Sequence, residues 1–183
     1  IYDPLGRVSK VIGPTDTAAL PTIRYVYDLS SVPYKTTSCA RIQSGQTAEL
    51  CADTYTDGLG RTIQTRSPAE DPLKQVVTGV VEFNSRGLVS KQWVPYLSNT
   101  STAYVPVNLE PDPNSLAAVS YAYDPPGRLT TITDPDGSVT TTNYSDWTTT
   151  VTDANGHQTR RTSDAYGRLA MVDVSDGTNT SSE

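Results

Sequence analysis

The chain has 183 residues and a net charge of −6, from 14 Lys and Arg against 20 Asp and Glu. Its basic residues gather into no run or stripe, which excludes the electrostatic footprint of a nucleic-acid binder. No apolar stretch approaches the ~20 residues of a bilayer-spanning helix.

The make-up favours strands. There are 27 Thr, 17 Val, 6 Ile and 11 Tyr, but one Phe and one Met. β-Branched and aromatic side chains suit a pleated, half-buried surface, and the 12 Gly and 13 Pro supply turns. Ile1 stands inside a motif, Tyr2-Asp3-Pro4-Leu5-Gly6-Arg7, so the chain is expected to be cut from something longer. In this motif an Asp can close an Asx turn while Gly supplies φ > 0. The aromatic before it and the Arg after it are expected on the two arms of a hairpin, within ring-to-guanidinium reach.

Strands are predicted at about 7–12, 22–28, 34–43 and 46–56, with Ile23, Tyr25 and Tyr27 on one face. Between the third and fourth, Cys39 and Cys51 lie symmetrically about Gly45, so a hairpin turning there sets them opposite each other. Either a disulfide or two free thiols fits that register. The corner recurs at Asp57, Gly60 and Arg61. Strands at 61–66, 74–84 and 88–94 follow, with Val77, Val81 and Phe83 sharing a face and a turn at Ser85–Gly87. The segment 95–118 holds four prolines and no alternation, and is expected to be a linker or long loop. It separates an irregular β-hairpin region, 1–94, from a regular meander, 119–183.

In that meander the turn signals fall at Gly127, Gly137, Gly156, Gly167 and Gly177. The short Thr/Val/Tyr runs between them are those of an antiparallel meander, with an extra turn near Ser145-Asp146. The full corner appears twice more, at Asp124, Gly127, Arg128 and at Asp164, Gly167, Arg168. Helix is expected to be nearly absent, since no window sustains a 3.6-residue apolar period.

Candidate chemistry is sparse. His157, the one histidine, is expected as an exposed residue at a strand start. The acidic turns Asp134–Gly137 and Asp173–Gly177 lack the calcium-loop pattern and its distal Glu. No cofactor, metal site or enzymatic activity is expected.

The repeated Asp-x-x-Gly-Arg corners and the unit Gly127-Arg-Leu-Thr-Thr-Ile-Thr-Asp-Pro-Asp-Gly-Ser-Val-Thr-Thr-Thr-Asn-Tyr144 resemble the rearrangement-hotspot (Rhs) or YD-repeat family. The stretches Tyr55–Arg61 and Phe83–Tyr96 are similar to the middle region of the B component of bacterial insecticidal ABC toxin complexes. The resemblance implies an all-β, antiparallel hairpin strip that forms part of a larger hollow shell. It implies a structural role, encapsulation of a toxic C-terminal domain, in a secreted or cell-surface protein. The implied partners are further repeats of the same parent chain, other toxin-complex subunits and the enclosed toxic domain, with no nucleic acid and no membrane insertion by this segment. An adhesion or carbohydrate-binding module built from the same repeats is the alternative, and an exposed Tyr/Trp cluster in a groove would favour it.

Overall fold

A computed structural model describes residues 1–176 and the backbone of 180–182. The expected turn at Gly177 therefore lies outside the described residues, as does the end of the acidic turn Asp173–Gly177.

The strands are β1 (Lys10–Val11), β2 (Ile23–Asp28), β3 (Tyr34–Arg41), β4 (Glu49–Thr56), β5 (Thr62–Pro68), β6 (Lys74–Thr78), β7 (Val81–Phe83), β8 (Val89–Trp93) and β9 (Tyr96–Asn99). After two short 3-10 turns, Val107–Leu109 and Pro113–Ser115, come β10 (Ala118–Tyr123), β11 (Leu129–Thr133), β12 (Val139–Ser145) and β13 (Thr148–Thr152). The last are β14 (Gln158–Ser163), β15 (Leu169–Ser175) and β16 (Thr180–Ser182). Helix beyond the 3-10 turns is absent among the described residues, and none is long and apolar enough to cross a membrane.

Two sheets result, in the orders β1-β2-β3-β4-β5-β6-β9 and β16-β15-β14-β13-β12-β11-β10-β8-β7. They correspond to two compact units, 1–81 with 93–116 and 82–92 with 117–183. The expected all-β antiparallel hairpin architecture is what the chain adopts.

The expected 74–84 strand is instead two strands in two sheets. Gly79 takes φ +63°, a conformation that ends the ladder of β6, and Val80 leads into β7. Val77 is therefore fully buried in the first unit, while Phe83 belongs to the second. The segment 95–118, read as a connection, carries β9, which pairs with β6 over Lys74↔Asn99 to Val77↔Tyr96. Its prolines end regular structure without detaching it from the core.

The excursion occupies the place of a hairpin turn. Tyr121 reaches Gln92 and the Tyr123 hydroxyl donates to the Val89 carbonyl at 2.8 Å. As the residue number rises on β10 it falls on β8, so these neighbouring strands run in opposite senses. Residues 94–117 thus stand where a few residues would close β8 onto β10.

In the first unit the buried apolar residues are Cys39, Tyr55, Val77, Val80 and Trp93, alongside the polar Gln64, Arg66, Ser98 and Glu110. In the second, the Thr-rich strands β11 and β13 are half-buried along their whole length. They form a sheet with little closed core.

Candidate functional site

The four Asp-x-x-Gly-Arg corners share one geometry. At the first, the Asp3 N–H donates to the Arg7 carbonyl and the Gly6 N–H returns to the Asp3 carbonyl. The two carboxylate oxygens divide the remaining work. Asp3 Oδ1 accepts the backbone N–H of Leu5 and of Arg7, each at 2.9 Å, and Oδ2 accepts Arg7 Nε at 2.7 Å. Asp57 does the same with Leu59 and Arg61, and Asp164 with Tyr166 and Arg168. At Asp124 the next two residues are prolines without N–H groups, so Oδ1 takes the N–H of Gly127 and of Arg128.

Burial raises the Asp57 carboxyl, but the N–H groups of Arg61 and Leu59 and the Arg61 guanidinium outweigh it, leaving it below the ordinary value. Asp3 and Asp124 are lowered in the same balance. At Asp164 the lowering comes first from the Arg168 N–H and then from its guanidinium.

The ring that meets the guanidinium is not the one expected. Arg7 lies over Tyr27 at 4.2 Å and Arg128 over Tyr144 at 4.3 Å, rings supplied by β2 and β12 rather than by the preceding Tyr2 and Tyr123. Each ring also donates its phenol hydrogen to the carbonyl after the Arg: Tyr27 to Val8 at 2.8 Å, Tyr144 to Leu129 at 3.0 Å. Tyr123 makes the same bond to Val89 after the Asn84–Leu88 turn, where Leu88 stands in the arginine's place. The motif is therefore a clasp between one corner and the next strand, and the register between hairpins explains why the flanking tyrosine is the wrong partner. Arg168 differs, meeting Tyr166 of its own turn at 5.1 Å.

A fifth corner escapes the arginine pattern. Asp153 Oδ1 accepts the N–H of Asn155 and of His157, and Oδ2 pairs with His157 Nδ1 at 3.0 Å. The signal was Asp-x-x-Gly followed by a potential cation. His157 is exposed just before β14, as expected, but it serves its corner.

A second cluster, invisible in the sequence, lies in the first unit. Gln64 and Arg66 alternate on β5 and are both essentially inaccessible. Arg66 donates through Nε to Gln64 Oε1 at 2.9 Å and through Nη2 to Glu110. Glu110 also accepts from the Ser98 hydroxyl and, at 3.2 Å, from Tyr96. Gln64 holds the Val105 carbonyl at 2.8 Å. Burial and the Glu110 charge push the Tyr96 phenol well up, and burial pushes Tyr55 up to about 12. The Tyr55 hydroxyl is buried without a hydrogen-bond partner. This network pins the 3-10 segment to the sheet.

Cys39 and Cys51 face each other in the β3–β4 register, with Cα atoms 4.0 Å apart and the sulfurs joined as a disulfide. The corner residues are spread over successive turns, each closed on itself, and do not converge on a common pocket. An open concavity in the first unit, about 290 Å³, is lined by Ile23, Tyr25, Leu50 and other apolar or small residues with no charged group.

The fold is found in larger proteins. The crystal structure of TcdB2-TccC3 is similar with a TM-score of 0.70 at 17% identity, over 92% of this chain and 10% of that one. TcdB2-TccC3 without its hypervariable C-terminal region gives 0.69 at 18%, over 82% and 9%. A Tc holotoxin pore of Photorhabdus luminescens carrying a TccC3 substitution gives 0.71 at 16%, over 85% and 9%. This chain thus spans about a tenth of the length of each. No curated protein sequence matches it. Residues 29–146 match a family described as a domain of unknown function, DUF6443. That match covers well over half of the chain, which belongs to the DUF6443 family.

Proposed function

We propose that this chain is a wall segment of an Rhs/YD-repeat shell in a secreted bacterial toxin complex, contacting further repeats of its parent chain and the toxic C-terminal domain enclosed by them. The observation that carries the reading is the superposition of 92% of the chain on a tenth of TcdB2-TccC3. The corner chemistry supports it, because both carboxylate oxygens of each corner Asp and its Arg are consumed in holding a turn. In this reading no residue performs chemistry, and the segment belongs with the B component of such a complex. Sheets that end in unpaired strands gain from repeats that continue them.

Carbohydrate binding draws less support. Tyr27, Tyr123 and Tyr144 spend their hydroxyls on backbone carbonyls, and the exposed rings Tyr2, Trp147 and Tyr166 belong to separate turn regions of the chain.

Excising residues 1–183 from the parent chain tests the proposal. The C-terminal domain is expected to pass from protease-resistant to rapidly cleaved. A domain equally resistant with and without the segment would overturn the shell role.

A further inference from the structure

Cys39, Cys51 and Glu49 form the group whose chemistry the corners leave unused. Glu49 and Cys51 sit two apart on β4, and so on one face of the sheet, with Cys39 directly opposite Cys51. One ligand atom from each of the three lies within 4.8 Å of the others. Cys39 is buried and its two companions are half-buried. We propose that reduction of the disulfide turns this group into a binding site for one thiophilic divalent cation of the zinc class.

The step balances simply. A dithiol reductant gives two electrons and two protons to the Cys39–Cys51 bond and becomes a disulfide itself. The protein gains two thiols. Binding of the cation then releases both thiol protons, leaving two thiolates and the Glu49 carboxylate as ligands and a fourth position for water. Two sulfurs and one oxygen suit Zn²⁺ or Cd²⁺, not Mg²⁺ or Ca²⁺.

Two features favour a preformed site in the reduced chain. The β3–β4 ladder runs over eight pairs, from Tyr34↔Thr56 to Arg41↔Glu49, so backbone bonds keep the cysteines opposed when the sulfurs part. The charges also fit. Arg24 Nε holds Glu49 Oε2 at 2.9 Å, and Arg41 Nη2 lies 3.6 Å from Oε1. Arg41 is anchored as well to the Pro21 and Gln46 carbonyls. Two guanidinium charges against three anionic ligands leave one net negative charge to attract the cation, while Arg24 fixes the carboxylate's direction. In the oxidised chain both sulfurs are spent and the site does not exist. The disulfide thereby acts as the gate.

The 183-residue chain, oxidised or reduced by a phosphine that is then removed, is titrated with Co²⁺ and Cd²⁺ under argon. The reduced chain is expected to take up one equivalent with thiolate-to-metal charge-transfer absorption, and the oxidised chain none. Glu49→Gln is expected to keep the absorption but weaken binding about tenfold, and the double variant Cys39→Ser, Cys51→Ser to lose both. Circular dichroism follows each state. A reduced chain that keeps its strand signal yet binds no metal overturns the proposal, as does one that loses that signal on reduction. Equal uptake by the oxidised chain overturns it too, and unchanged affinity in Glu49→Gln removes the carboxylate from the site.

Discussion

At a corner such as Asp124–Arg128, the glycine decides whether the two carboxylate oxygens can do their separate work. Gly127 takes φ +97°, and a Cβ there would stand 3.7 Å from Leu88 Cδ1. Gly137, at φ +86°, has open space around it. Gly137→Ala therefore meets only the left-handed backbone cost, roughly 1–2 kcal/mol. Gly127→Val meets that cost plus β-branching, while a Cβ would make only ordinary contact with Leu88, and is expected to lose more in urea unfolding. Equal losses at the two sites would remove β-branching from the account. The buried pair invites a different experiment. Arg66→Ala or Glu110→Ala leaves an uncompensated buried charge and is expected to cost about 3–5 kcal/mol, whereas Arg66→Met with Glu110→Leu should recover most of it. A double variant as unstable as the singles would show that charge is not what the site requires. Gln64-x-Arg66 could be read as alternation on a strand, but nothing in a proline-rich stretch marks Glu110 as its partner. That contact depends on a fold-back some 44 residues long, beyond any local pattern.

Among the elements, the hairpins of the meander were legible because each rests on local chemistry: an Asx, a glycine at positive φ and β-branched arms. Turns at Asp57, Asp124, Asp134, Asp153 and Asp164 all close with the same backbone bond from glycine to the leading Asp. The tyrosine clasp was not legible, since the ring that meets Arg7 or Arg128 is set by which strand adds next, and the flanking aromatic is a misleading neighbour. These corners also govern the response to acid. The carboxyls of Asp3, Asp57, Asp124 and Asp164 titrate below their ordinary value in the folded chain. A lowered folded pKa means that their contribution is complete above the unfolded value, about 3.9, and is lost as pH falls through the folded one. Stability is expected to hold from neutrality to about pH 4 and to decline below it. Replacing Asp57 and Asp164 together by Asn should flatten that decline, measured as the slope of unfolding free energy against pH. An unaltered slope would place the acid sensitivity elsewhere.

For the whole molecule, the proline-rich composition of 95–118 suggested a border between two consecutive domains, and the actual division is discontinuous. The first unit closes only with 93–116, and the second begins with the hairpin 82–92. Composition reports where regular structure stops, not which sheet a segment rejoins. Since β8 and β10 are antiparallel neighbours, replacing 94–117 by a short Asn-Gly turn should leave the second sheet intact as a plain hairpin run while removing β9 and Glu110 from the first. Hydrogen exchange is expected to show β10–β15 still protected and β5–β6 opened. Protection lost throughout would mean that the excursion also supports the second sheet. The interleaving has a further consequence for a chain exposed to proteases. A single nick near the second 3-10 turn would yield two fragments, the first of which keeps β7 and β8, strands that the second sheet requires. Breaking one peptide bond there would not free either part. The severed halves would behave as a complementing pair, and release would demand that paired strands be peeled apart.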